Sequence, residues 1–325
     1  MRRPLIVTWL LIFIVSCGGI SPREAVFPSA SIPLVTFVFD DGYDTDYLVA
    51  RDIFAEQGAV ACSAITTDWI NRPGYMNPEQ IIGLRDAGWE IMGHTATHPN
   101  LRSLAPAQVE DELSRSKATL EGLGVTVKNL VYPYNKSNET VRELAGKYYR
   151  SGRGGKNKFN TAGIEPYELR SFTSRQGLVK LKRAIDSAHV EKNWIIIYHH
   201  EIDAKITLID KRGTFTRGEQ LLFSPSGALG RHTRDRWFLT AGSLRFAPLA
   251  GTPRPGDTIT GKKSGAAAQL NRVVFNERVN IGELVRYIRT QYPDMRIVTI
   301  DQGLDILGIA QQSPAAANTP ATTVQ

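Results

Sequence analysis

A chain of 325 residues that is 42% hydrophobic and 22% charged can bury at least one large core, which excludes disorder across the bulk of it. Its formal net charge of +7 favours anionic surfaces such as phospholipid, acidic cell-wall polymer or nucleic acid, and equally fits a soluble protein with a basic surface.

At the amino terminus, Arg2 and Arg3 precede an apolar run from Leu5 to Val15. The run is too short to span a bilayer comfortably and has the length of a signal-peptide core. It ends in Ile14-Val15-Ser16-Cys17-Gly18, which resembles the lipobox of bacterial lipoproteins. That predicts lipidation of Cys17 at the mature amino terminus, the alternative being ordinary cleavage nearby. Residues 1–17 are then a signal peptide and 18–32 a leader. With Cys17 modified, Cys62 has no partner for an internal disulfide and reads as a small buried core residue rather than a metal ligand.

Beyond the leader, strand and helix alternate. Leu34 to Phe39 and Ala59 to Ile65 read as strands, with a helical stretch from Asp46 to Gln57 between them. Asn77 with Pro78 predicts a capped helix to Ala87 closed by Gly88, followed by a strand from Trp89 to Met92. Helices are expected over Pro106–Leu120, Glu139–Tyr148 and about Gln176–His189, and strands over Asn129–Tyr134, Tyr167–Phe172 and Trp194–Tyr198. Such repetition implies a parallel sheet, whose functional groups gather at the C-terminal strand ends. The alternation stops over residues 203–276, which are rich in Gly, Thr and Pro and predict a β-rich insertion. Helix and strand resume with Ile281–Tyr292 and Met295–Ile300, and Gln311–Gln325 reads as a disordered tail.

Four strand ends carry candidate chemistry. Asp40-Asp41-Gly42 places two carboxylates side by side, either as a polar turn or around a cation. His94-Thr95-Ala96-Thr97-His98 spaces two imidazoles so that they can converge on one metal. Tyr132-Pro133-Tyr134-Asn135 is a proline-fixed turn whose aromatics line a sugar site or simply pack. Tyr198-His199-His200 ends the most hydrophobic strand with a histidine that could be acid, ligand or core residue. Taken together, one carboxylate and two imidazoles leave zinc an open position for water, which points to hydrolysis.

With these motifs the sequence resembles the polysaccharide deacetylase family, also called carbohydrate esterase family 4 or the NodB-homology domain. The resemblance runs from about Val35 to His199 and resumes near Ile281. It implies a distorted (β/α)7-type barrel over residues 33–202 and 277–308, with the β-rich insertion before the last helix and strand and a tail at 309–325. It also implies that Asp41, His94 and His98 hold a divalent metal, Zn2+ or another such as Co2+ or Mn2+. Asp40 would be the base, His199 the acid with His200 as the fallback, and the Tyr134 N–H an oxyanion donor. Tyr132, Pro133, Asn135 and Arg170 would bind substrate. Val131 stands where the family usually carries the arginine that pairs with the base, and Arg170 is the expected replacement.

The expected partner is an acetylated, N-acetylglucosamine-containing polysaccharide carrying N-acetyl or O-acetyl groups, with the membrane reached through a lipid anchor in the cell envelope. A catalytically weak, metal-containing glycan-binding lipoprotein is the alternative. No nucleic acid is expected, although Lys147 to Lys158 forms a basic stretch that would suit an anionic polymer.

Overall fold

The computed structural model describes residues 32–234, 242–274 and 276–309. The signal segment, Cys17, nearly all of the leader and the Gln311–Gln325 tail lie outside the described residues.

Seven parallel strands close into a barrel: β1 (Leu34–Phe39), β2 (Cys62–Ile65), β3 (Glu90–Gly93), β4 (Asn129–Val131), β5 (Ser151–Lys156), β6 (Leu169–Thr173) and β7 (Trp194–His199), with β7 pairing back onto β1. A two-residue strand, β14 (Arg296–Ile297), pairs with the start of β1, while β2 pairs with its end. Helices α1 (Arg51–Ala55), α2 (Pro78–Asp86), α3 (Pro106–Glu121), α4 (Glu139–Gly146), α5 (Leu178–Val190) and α6 (Asn276–Gln291) supply the outer layer. The Asn77 cap forms as the sequence predicts: its side chain accepts from Gln80 N at 2.8 Å, and the Gln80 side chain answers at 3.0 Å.

Alternation along the strands sorts side chains into two cores. Val35, Phe37 and Phe39 face the helices, whereas Leu34, Val38, Met92, Val131, Leu169, Trp194 and Ile196 fill the barrel interior. Inside, Trp194 Nε1 donates to Thr36 Oγ1 at 2.9 Å. Cys62 is fully buried in this interior, well below the rim.

Two elements depart from the sequence expectation. Ser151–Lys156 is strand β5, although Ser-Gly-Arg-Gly-Gly-Lys carries no apolar strand pattern. Its Gly152 lies under the Tyr132 ring, where an added Cβ would sit only 2.1 Å from the Tyr132 hydroxyl. The expected strand Met295–Ile300 shortens to β14 and is followed by α7 (Ile300–Ile306), capped by Thr299.

The insertion is a second, antiparallel closed barrel. It is built from β8 (Ala204–Arg212), β9 (Gln220–Ser224), β10 (Leu229–Arg234), β11 (Ser243–Ala250), β12 (Thr258–Gly261) and β13 (Ala267–Val274), around a core containing Ile206, Leu221, Phe223, Phe246 and Ile259. It meets the first barrel at its rim through Arg231, which bonds Asp44 at 2.6 Å and Glu201 at 3.1 Å.

Candidate metal centre

The residue after β1 continues the inward phase of Leu34, Thr36 and Val38, so Asp40 projects into the barrel mouth, 4% exposed. Asp41 follows with φ 81°, a left-handed conformation that turns its carboxylate across the mouth toward the loop after β3. There Asp41 Oδ1 lies 3.3 Å from both His94 Nε2 and His98 Nε2. One ligand atom from each of the three residues falls within 4.8 Å of the others, which gives a donor set for a divalent ion.

The imidazoles are held from behind. His94 Nδ1 donates to the Val131 carbonyl at 2.7 Å, which leaves Nε2 to face Asp41. The loop itself is gripped by Glu112 on α3. Its carboxylate accepts from Ala96 N at 2.9 Å, from Thr97 N at 2.8 Å and from Thr97 Oγ1 at 2.6 Å. Thr95 Oγ1 in turn accepts from His98 N at 3.0 Å.

Asp41 Oδ1 is buried and makes no well-formed hydrogen bond. With Nδ1–H of His94 committed to Val131, a neutral His94 would point a lone pair at a carboxylate. A cation between the two relieves that contact, so the residues present fit the ion that the motif implies. Burial draws the Asp41 carboxyl upward, but the contact with His94 and the potentials of His94, His200 and His98 outweigh it and hold it at about 2. Burial, reinforced by His94, lowers His98 to about 4, so it remains a neutral donor across the ordinary pH range.

The partner of Asp40 is Arg153, not Arg170. Inward-facing on β5 and wholly buried, Arg153 directs Nη2 onto Asp40 Oδ1, and its Nη1 donates to Asn135 Oδ1 at 2.5 Å. Its guanidinium also lies 4.9 Å from the centre of the Tyr198 ring. Arg170 fails because β6 turns Leu169 and Ser171 inward and leaves Arg170 on the opposite face. Arg153 was within reach of sequence reasoning only as part of a basic stretch, since β5 lacks the apolar alternation that marks a strand.

The same alternation corrects the histidine. Trp194, Ile196 and Tyr198 face the interior, so His199 faces outward, 1% exposed, with its ring stacked on Phe39 (5.3 Å) and Phe37 (6.2 Å). His200 takes the inward phase. Burial lowers its pKa while Asp40 and Asp41 pull the other way, and those two carboxylates are its strongest charged neighbours. The mouth therefore holds His200, the fallback in the sequence, and not His199.

The substrate-binding expectations divide. Tyr132 is 1% exposed with its hydroxyl on the Tyr167 carbonyl at 3.2 Å, and Pro133 is buried, so both pack rather than line the mouth. Asn135 serves Arg153. Tyr134, at φ 58°, exposes 58% of its surface and lays its ring against His98 with centroids 4.7 Å apart. Trp69, absent from the expected set, flanks His98 on another side at 5.2 Å and leads through Tyr75 to Tyr43.

Residues 29–149 match the sequence model of the polysaccharide deacetylase family. The curated Bacillus subtilis (strain 168) protein YxkH, whose name places it among polysaccharide deacetylases, is 27% identical over 136 residues, or 39% of this chain and 48% of that protein. This chain thus spans about half the length of that relative. Among solved structures, BC0361, a polysaccharide deacetylase from Bacillus cereus, aligns at 23% identity over 42% of this chain and 45% of that one, with a TM-score of 0.40. A family 4 carbohydrate esterase from Streptomyces lividans in complex with acetate aligns at 22% identity over 51% and 79%, with a TM-score of 0.38.

Proposed function

We propose that the chain, whose residues 29–149 match the polysaccharide deacetylase family, is a metal-dependent hydrolase that removes acetyl groups from an N-acetylglucosamine-containing glycan. The observation that carries this reading is the convergence of Asp41, His94 and His98 beside a second carboxylate, Asp40, that is held apart by its own arginine. Asp41, His94 and His98 would hold the ion, zinc being the first choice for one carboxylate and two imidazoles. When bound, such an ion polarises a carbonyl and makes water acidic enough to attack near pH 7.

The chain's own groups supply the rest. Asp40, fixed by Arg153, accepts the proton of the attacking water on a carboxylate oxygen. The Tyr134 N–H, turned by its left-handed backbone, donates to the oxygen that gains charge. His200, in its protonated form, gives a ring proton to the departing amine or alcohol and is reprotonated from solvent. Trp69, Tyr134 and Tyr75 offer flat faces for sugar rings at the rim. Glycan binding without turnover draws on two features, Val131 in place of an arginine and the large insertion, and Arg153 removes the first of them. Export and anchoring through Cys17 complete the proposal on the strength of the leader sequence.

The test is acetate release from acetylated chito-oligosaccharides by the purified chain, before and after chelation and after zinc is restored. Release that stops on chelation and returns with zinc supports the reading. Unchanged release from protein proved free of metal refutes it.

A further inference from the structure

Beside the mouth lies a second concavity, of about 200 Å³, whose walls carry Arg102, Lys136, Arg142, Lys156 and Arg170 against a single acid, Glu168. Glu168 is engaged by Arg142 at 3.2 Å. Among the described residues no carboxylate pairs with Arg102, Lys136, Lys156 or Arg170, and Arg170 Nε is buried without a hydrogen-bond partner. Like charges gathered in one hollow repel, and an unpartnered guanidinium N–H is costly to bury, so the arrangement is suited to an anion that enters from solution.

The hollow adjoins the metal centre. Its wall includes Asn135, one residue beyond Tyr134, whose ring rests on His98. Asn135 also takes the hydrogen bond from Arg153, the residue that grips Asp40. Its floor is Gly154 and Gly155 of β5, where a Cβ on Gly155 would lie 3.1 Å from that of Asn135. A sugar seated over the metal would therefore direct its neighbour along the chain at these cations.

We propose that this hollow selects acidic glycans: it receives a carboxylate or phosphate substituent on a sugar adjacent to the one that loses its acetyl group. This rests on the deacetylase reading for the position of the scissile sugar. The basic stretch from Lys147 to Lys158 thereby acquires a role, because Lys156 and the two glycines belong to the hollow.

The experiment titrates the zinc-loaded protein calorimetrically with three oligosaccharides of equal length. One is neutral N-acetylated chito-oligosaccharide, one alternates N-acetylglucosamine with glucuronic acid, and one is chito-oligosaccharide phosphorylated at O6. At low salt at least one acidic chain should bind about tenfold tighter than the neutral one, the low end of what charge-assisted hydrogen bonds supply. Whether the carboxylate or the phosphate chain gains more identifies the substituent. The preference should shrink in 0.15 M salt, where the screening length is about 8 Å. It should fall to near parity in R170Q/K136Q and persist in K117Q/K128Q, which changes a different basic surface. If R170Q/K136Q misfolds by thermal melt, R102Q/K156Q, at two exposed side chains, takes its place. Equal affinity for all three chains, or a preference that survives in the hollow variant, overturns the proposal. Acetate release is followed in parallel. Zinc-dependent release without charge preference sinks the hollow and spares the deacetylase. Charge preference without release from any chain sinks the deacetylase and leaves the hollow standing as an anion site.

Discussion

Replacing Arg153 by Met tests the arrangement around Asp40 most directly. Arg153 is wholly buried and Asp40 nearly so, so the substitution leaves a carboxylate in the barrel mouth without its counter-charge. Stranding one member of a buried ion pair costs about 3–5 kcal/mol, a large share of the roughly 5–15 kcal/mol that holds a domain together. The same change frees Asp40 to rotate away from the attacking water and removes the donor that fixes Asn135. A displaced general base should lower kcat by about 10²–10⁴, the loss also expected for Asp40→Asn. Because the two residues act as one unit, the double variant D40N/R153M should be no slower than R153M alone. It should also regain part of the lost stability, since an amide needs no counter-ion. Steady-state acetate release and urea melts on the four proteins measure both quantities. Wild-type kcat in R153M, or losses that multiply in the double variant, would refute the pairing as the source of the base's orientation.

The remaining expectations are simpler. His200→Ala should lower kcat by about 10²–10⁴ with zinc content unchanged, whereas His199→Phe, a ring for a ring between Phe37 and Phe39, should leave kcat within a fewfold; metal analysis and acetate release check both. Glu112→Gln touches no metal ligand, yet an amide cannot accept all three bonds of the His94–His98 loop, and zinc affinity should drop about 10–100-fold by competition with a chromophoric chelator. Burial lowers His98 to about 4 from an ordinary 6.5, so the folded, metal-free chain holds fewer protons than the unfolded chain between those values. Its stability should rise with pH across that window and be lost as pH falls toward 4, with a slope approaching one proton that disappears in His98→Ala; denaturant melts at stepped pH measure it.

Much of this was legible from residue order. Near-continuous apolar runs at Leu34–Phe39 and Trp194–Tyr198 mark strands buried on both faces, with side chains alternating between those faces, and the polar residues just past the runs must then lie at a rim. The same alternation, carried one residue further on β7, would have chosen His200, because Trp194, Ile196 and Tyr198 already occupy the inward phase. Arg153 was hidden for a physical reason. A strand written Ser-Gly-Arg-Gly-Gly-Lys buries backbone and one guanidinium instead of apolar side chains, and its glycines are required by Tyr132 and Asn135, which only the fold brings near. Glu112 was hidden likewise, since a carboxylate on an amphipathic helix reads as solvent-facing until the loop it grips is known. The insertion's composition indicated strands, but closure into a barrel depends on β9 pairing with both β10 and β12, a long-range register that no local pattern encodes.

The hidden residues share one task, which explains why ligand motifs alone describe the site incompletely. Asp41, Thr95, His98, Tyr134 and Asn135 all adopt left-handed backbone at φ 81°, 65°, 64°, 58° and 57°. For residues other than glycine each such conformation costs on the order of 1–3 kcal/mol, and all five cluster at three strand ends around one mouth. They persist because other groups over-determine them. Glu112 and Thr95 Oγ1 hold the histidine loop, while Arg153 holds Asn135 and Asp40 together. Relaxed backbone at these positions would point Asp41 away from the imidazoles and the Tyr134 N–H away from the mouth. The strain is thus the means by which short loops from separate strands aim at a single point, and the buried carboxylate and guanidinium behind them keep that aim when substrate and ion exchange.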